Sequence, residues 1–97
     1  MNELKDKYKR DFEVLRTLIN EFDPCGLIAA GAPVDEYDYL TNKVLGLRHR
    51  GELRNKIKEI ILFELREHFG EDTESFEQPH KTEFYKSLDK LLNEMQS

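Results

Sequence analysis

Apolar residues recur at helical spacing in four separate stretches of the chain, and no longer stretch shows the alternation of a β-strand. The first stripe runs from Leu4 to Phe22 in steps of three and four residues, with charged residues between its members. Asp23-Pro24 ends it, because the residue before a proline is pushed out of the helical conformation. The pattern therefore predicts an amphipathic first helix that stops at residue 22.

The second stripe runs from Tyr37 to Leu47. Asp35 precedes it at a position suited to an N-cap, and we expect its side chain to cap this helix. Glu36 and Asp38 then fall in the first turn, where acidic side chains interact favourably with the helix dipole.

The third helix is predicted over residues 52–69, with Gly70 as its left-handed stop residue. Its apolar residues cover more than one face, which suggests a central helix contacted on two or three sides. Pro79 is expected at the first position of the last helix, whose stripe spans residues 84–95.

These stripes predict an all-α fold: a small antiparallel four-helix bundle in a single domain over residues 1–97. A long connection over residues 23–38 joins the first two helices. Leu27 and Ile28 within it are too apolar for a solvated linker, so we expect this loop to be ordered and partly packed against the helices.

Composition places the chain among soluble, charge-rich helical proteins. Hydrophobic residues make up 38% and charged residues 36%, and the mean hydropathy is -0.73. No apolar run is long enough to span a membrane or to form a signal peptide core, so we expect a cytoplasmic protein without membrane association. The net charge of -5 argues against nucleic acid as a partner. The one basic stretch runs from Lys43 to Lys58. Glu52 interrupts it and Glu59 follows it, an alternation of sign that is typical of a solvated helix surface.

A carboxylate cluster is the densest candidate for chemistry. Asp35, Glu36 and Asp38, with Asp23 across the loop, could bind a hard cation through oxygen ligands. Their spacing does not match a calcium-binding EF-hand loop, and helix capping accounts for acids at this position. We expect Asp23 to bond to backbone amides near its own turn. We therefore predict no metal and no cofactor.

The histidines and the cysteine offer no catalytic set. His49, His68 and His80 share no helical spacing that would bring two of them to one face, although His68 follows Glu64 by one helical turn. Cys25 lies near a possible helix start, where a thiolate would be stabilised, but a small buried hydrophobe is the commoner role of a free cysteine. We predict that the protein is not an enzyme.

The segment from Asn20 to Asp38 resembles the hallmark of the YugE-like family, small bacterial helical proteins of unknown function. That hallmark is approximately an aromatic residue followed by Asp-Pro, then Gly-Leu, then Gly-x-Pro-x-Asp-Glu-Tyr-Asp, which this chain carries as Phe22-Asp23-Pro24 through Gly31-Ala32-Pro33-Val34-Asp35-Glu36-Tyr37-Asp38. The following helices and Phe69-Gly70 are more loosely similar, and residues 71–97 depart from the family. The resemblance implies a small all-α bacterial protein, and it supplies neither an activity nor catalytic residues.

In general character the chain is also similar to the acidic helical immunity proteins that neutralise bacterial toxins, an analogy without a motif match. The leading hypothesis is therefore a protein-binding module, most concretely an immunity-type inhibitor that covers the active site of a basic bacterial toxin such as a nuclease. Two alternatives stay open: a small metal-dependent regulator or enzyme centred on the acidic loop, and a structural homo-oligomer in which a second copy covers the third helix.

Two acidic regions with neighbouring aromatic residues are the candidate partner-binding site. Glu36 and Glu74 are the strongest candidates within it, because neither is expected to have an intramolecular role. The candidate residues are Asp35, Glu36, Tyr37, Asp38 and Tyr39 in the first region and Glu71, Asp72, Glu74, Phe76 and Glu77 in the second.

Overall fold

The computed structural model describes residues 3–95, with side chains from residue 6 onward, and this part of the chain contains helices and no strand. The helices are α1 (Glu3–Phe22), α2 (Asp38–His49), α3 (Arg54–Phe69) and α4 (His80–Met95). A short 3₁₀ turn over Thr73–Ser75 lies between α3 and α4. The all-α prediction is confirmed, while residues 1, 2, 96 and 97 of the predicted domain and the side chain of Leu4 lie outside the described residues.

The helix ends follow local signals. α1 ends at Phe22, directly before Asp23-Pro24, as predicted. Gly70 ends α3 in the left-handed conformation, with φ of 68°, and the amide of the next residue, Glu71, donates to the carbonyl oxygen of Leu65 at 3.0 Å. α3 and α4 begin slightly later than predicted, at Arg54 and at His80, the residue after Pro79.

Each helix contributes one face to a common core. α1 contacts α2 and α4, and α3 also contacts α2 and α4. The end of α1 contacts α4 through the rings of Phe22 and Phe84, 5.4 Å apart, and the start of α2 meets the end of α3 through Tyr37 and Phe69, 5.5 Å apart. The buried apolar residues are Leu15, Ile19, Tyr37, Leu40, Val44, Leu45, Leu47, Ile57, Ile61, Leu65, Phe84, Leu88, Leu91, Leu92 and Met95.

α3 contacts helices on two sides, α2 and α4, as its wide apolar pattern predicted, but it is no more central than α1, which also contacts two helices. Ile57, Ile61 and Leu65 are buried, but Phe63 remains half exposed. The wide apolar pattern of α3 therefore includes a side chain that the other helices leave half in water.

No helix within the described residues is long and apolar enough to cross a membrane.

Candidate partner-binding site

The loop between α1 and α2 is organised around a buried tyrosine and an aspartate. The Tyr37 hydroxyl donates to Asp23 Oδ1 at 2.7 Å, and it accepts from the amides of Cys25 at 3.1 Å and Leu27 at 3.4 Å. Tyr37 is fully buried, so it is not available as the aromatic anchor for a partner that the sequence suggested. It belongs instead to the scaffold that shapes the loop.

Asp23 completes this scaffold by accepting bonds from nearby backbone, as expected. The amides of Ile28 and Ala29 each donate to its carboxylate at 3.0 Å. Burial raises the pKa of the Asp23 carboxyl, but the bonds from Tyr37 and the backbone amides outweigh that effect and place the pKa below its usual value. The packing of the apolar residues Leu27 and Ile28 against the core confirms the prediction of an ordered loop.

The predicted cap at Asp35 is wrong. α2 begins only at Asp38, and its N-cap residue Tyr37 makes no side-chain capping bond. Asp38 also has another role, because it forms a bidentate ion pair with Arg16 of α1. Asp35 and Glu36 are exposed, and their side chains make no hydrogen bond or ion pair with any described residue. In the first region these two carboxylates therefore remain available to a partner.

The second acidic region lies at the same end of the molecule as the loop. The Tyr37–Phe69 contact places the start of α2 against the end of α3. Burial raises the pKa of the Cys25 thiol to about 11, and the nearby charge of Glu71 contributes to the increase. The structure therefore brings together two regions that are more than thirty residues apart in sequence.

In this second region Glu74 has intramolecular partners, contrary to the sequence interpretation. The Tyr85 hydroxyl donates to Glu74 Oε1 at 3.1 Å, and Lys81 Nζ lies 3.5 Å from Oε2. Asp72 caps the 3₁₀ turn by accepting from the amide of Glu74. Phe76 is half-buried against His80 and Phe84 rather than free.

The remaining candidates stay at the surface. Tyr39 is 52% exposed, and its ring stacks on that of His68 with centroids 4.4 Å apart. Glu77 is exposed, and Glu71 is partly exposed.

An open groove of about 420 Å³ runs between α3 and the 3₁₀ turn. Ile60, Leu62 and Phe63 form its apolar side, and Phe63 is 48% exposed. The carboxylate-bearing residues that line it are Glu59, Glu71, Asp72 and Glu74. Arg66 is the one basic residue of the lining, and its Nε lies 3.5 Å from Glu67 Oε2. An apolar surface inside an acidic rim is suited to a partner that carries an apolar side chain among basic ones.

Sequence reasoning found Glu71, Asp72 and Glu74 of this groove, but it missed Glu59 and the apolar side. The signal was present, because Phe63 and Ile60 extend the apolar pattern of α3 beyond one face. Ile60 packs partly against the core, whereas Phe63 is half exposed beside the groove.

A buried carboxylate on α3 is a second feature, besides the apolar side of the groove, that the sequence indicated only through the spacing of Glu64 and His68. Glu64 is 3% exposed; His68 Nε2 lies 3.0 Å from its Oε2, and Lys43 Nζ lies 3.8 Å from its Oε1. The His68 contact does not have the geometry of a hydrogen bond, so Oε2 has no hydrogen-bond partner among the described residues. The spacing of Glu64 and His68 by one turn brings them together on α3, on a different face from Phe63.

The alternative of a metal site in the acidic loop has no geometric support. Asp23 is engaged by amides and a hydroxyl, and Asp38 is engaged by Arg16. Across residues 3–95, no group of three or more histidine, cysteine or acidic side chains is arranged to hold a metal ion. Because burial disfavours the thiolate of Cys25, that residue is also a poor nucleophile.

No family model, no curated protein and no solved structure matches this chain. The similarity of residues 20–38 to the YugE-like hallmark therefore stays a prediction.

Proposed function

We propose that this chain is a protein-binding module without catalytic activity, built as a small antiparallel four-helix bundle. Its most concrete role in this proposal is that of an immunity-type inhibitor in the bacterial cytoplasm, covering the active site of a basic toxin such as a nuclease. The observation that supports it best is the groove on α3, where the half-exposed ring of Phe63 lies within an acidic rim.

The two parts of the groove have different physical roles in this proposal. An aromatic side chain that becomes desolvated on binding supplies much of the affinity in protein interfaces. The rim carboxylates raise the rate of encounter with a basic surface, and they resemble in charge the phosphates that a nuclease binds. Asp35 and Glu36, at the same end of the molecule, extend the acidic surface beyond the groove.

The contacts between helices support the antiparallel arrangement. The end of α1 contacts the first half of α4, and the start of α2 contacts the end of α3. Neighbouring helices that meet end to start in this way run in opposite directions.

Affinity capture with three immobilised variants tests the proposal. The baits are the wild-type chain, Phe63→Asp, which places a charge in the groove, and Val14→Asp, which places the same charge at an apolar position of α1 that is 59% exposed, against 48% for Phe63. We expect a basic protein to bind the wild type and Val14→Asp but not Phe63→Asp. Its association rate should fall as salt rises, and its enzymatic activity should be inhibited by the wild-type chain.

Two results would contradict the proposal. The first is a captured protein that binds Phe63→Asp as well as it binds the wild type. The second is association that does not change with salt, because the acidic rim would then play no part in recognition.

A further inference from the structure

The turn between α2 and α3 carries the most exposed large apolar side chain of the described residues. Leu53, the N-cap residue of α3, is 79% exposed. Burying a leucine of this kind against a partner contributes roughly 1.5–3 kcal/mol, so a complex that covers Leu53 would be stabilised by it.

Basic residues flank Leu53 in the sequence of this turn. Arg48, Arg50 and Lys56 are exposed, and their side chains make no hydrogen bond or ion pair with any described residue. Arg54 differs, because it bonds to Asn93 and lies 3.5 Å from Asp89 of α4. We call residues 48–56 the basic turn. It presents an apolar side chain among unpaired positive charges, and Glu52 is the one acidic residue within it.

The basic turn has the chemistry that the groove on α3 requires. The groove offers an apolar side around Phe63 and a rim containing Glu59, Glu71 and Asp72. Leu53 can pack against the apolar side, and the unpaired arginines and lysine of the turn can pair with the acidic rim. The two surfaces are therefore complementary in apolar character and in the sign of their charges.

The groove cannot be filled by the turn of its own chain. Leu53 and Phe63 are ten residues apart on one element, about 15 Å along a continuous helix. The helix between them is rigid on this scale, so a turn that reaches the groove must come from another molecule.

We propose that the chain associates head to tail with a second copy, whose Leu53 inserts beside Phe63 while its Arg48, Arg50 and Lys56 face the acidic rim. This proposal rests on the groove assigned above under the proposed function, and it adds a means of regulation. Because the two surfaces differ, each added copy leaves one groove and one basic turn free, and short open chains form. A groove that a second copy occupies is closed to the outside partner.

Sedimentation velocity and light scattering on the purified chain test this. We expect the weight-average mass of the wild type to rise above 11.5 kDa as concentration increases between about 10 µM and 1 mM, and to fall again when salt is added. Leu53→Asp removes the apolar side chain of the basic turn, and Phe63→Asp removes that of the groove. Each variant alone should therefore remain monomeric. Val14→Asp should associate like the wild type.

Mixing the two monomeric variants gives the decisive measurement. Leu53→Asp retains an intact groove and Phe63→Asp retains an intact turn, so an equimolar mixture should form a one-to-one dimer and nothing larger. A charge reversal supplies a second pair: Arg50→Glu and Asp72→Lys should each weaken association, and their mixture should restore it. Circular dichroism of all variants checks that they are folded.

The proposal is overturned if the wild type remains monomeric up to about 1 mM, or if the mixed variants do not associate. Loss of association in Val14→Asp would also overturn it, since a surface on α1 would then be responsible. The proposed function has a separate test. It is contradicted when the captured partner binds Phe63→Asp as well as it binds the wild type, whatever the oligomeric state of the chain. The partner should bind Leu53→Asp at least as well as the wild type, because that variant leaves every groove open.

Discussion

Removing one hydroxyl tests whether Tyr37 organises the loop. Tyr37→Phe keeps the buried ring and creates no cavity, so the change in stability comes from hydrogen bonds alone. Asp23 Oδ1 loses the donor at 2.7 Å, although it retains the amide of Ile28. The amide of Cys25 loses its acceptor at 3.1 Å, and the longer bond from Leu27, at 3.4 Å, contributes less.

The magnitude follows from these contacts. A buried hydrogen bond to a charged group contributes about 1.5–3 kcal/mol, and a bond between neutral groups contributes about 1 kcal/mol. We therefore expect Tyr37→Phe to lower the free energy of unfolding by about 2–4 kcal/mol. For a domain of this size that corresponds to a fall in the melting temperature of about 10–25 °C.

Urea denaturation followed by far-UV circular dichroism measures this change directly, as a lower midpoint at an unchanged slope. Tyr39→Phe is the matched control, since its hydroxyl makes no hydrogen bond with a described residue and its ring is half exposed. We expect that variant to remain within about 0.5 kcal/mol of the wild type. If Tyr37→Phe also remains within that range, the hydroxyl does not stabilise the loop and the reasoning is refuted.

Three further predictions concern the same loop. Because the pKa of Asp23 is lowered in the folded state, its contribution is complete above the ordinary aspartate pKa of about 3.9 and is lost as pH falls below it; acid denaturation of Asp23→Asn should show a smaller loss of stability over that interval than the wild type. The Cys25 thiol, with a pKa of about 11, should react slowly with a disulfide reagent at pH 8 and rapidly after unfolding in urea, and equal rates in both states would show that it is not protected. Asp35→Ala should change stability by no more than about 0.5 kcal/mol, because no cap is lost. Asp38→Ala should lower the melting temperature measurably, because it breaks the pair with Arg16. A larger loss of stability in Asp35→Ala than in Asp38→Ala would restore Asp35 as the cap.

The sequence determined the positions of the helices. Their stripes and stop signals, such as Pro24 and Gly70, act between residues at most a few positions apart, so each could be read without knowing the fold. The acidic character of the candidate site was also visible, since charge depends on composition alone. Asp23 was correctly expected to bond to backbone amides of its own turn.

The tertiary structure decided which of these residues face water. Tyr37 began the apolar stripe of α2 and was also a candidate anchor for a partner. Its contact with Phe69, thirty-two residues later, belongs to the core that buries it completely. Phe63 belonged to the apolar pattern of α3, and it remains half exposed because α2 and α4 cover the opposite faces of that helix. Burial depends on contacts between elements that are distant in sequence, and periodicity along one helix does not specify which of two apolar faces will be covered.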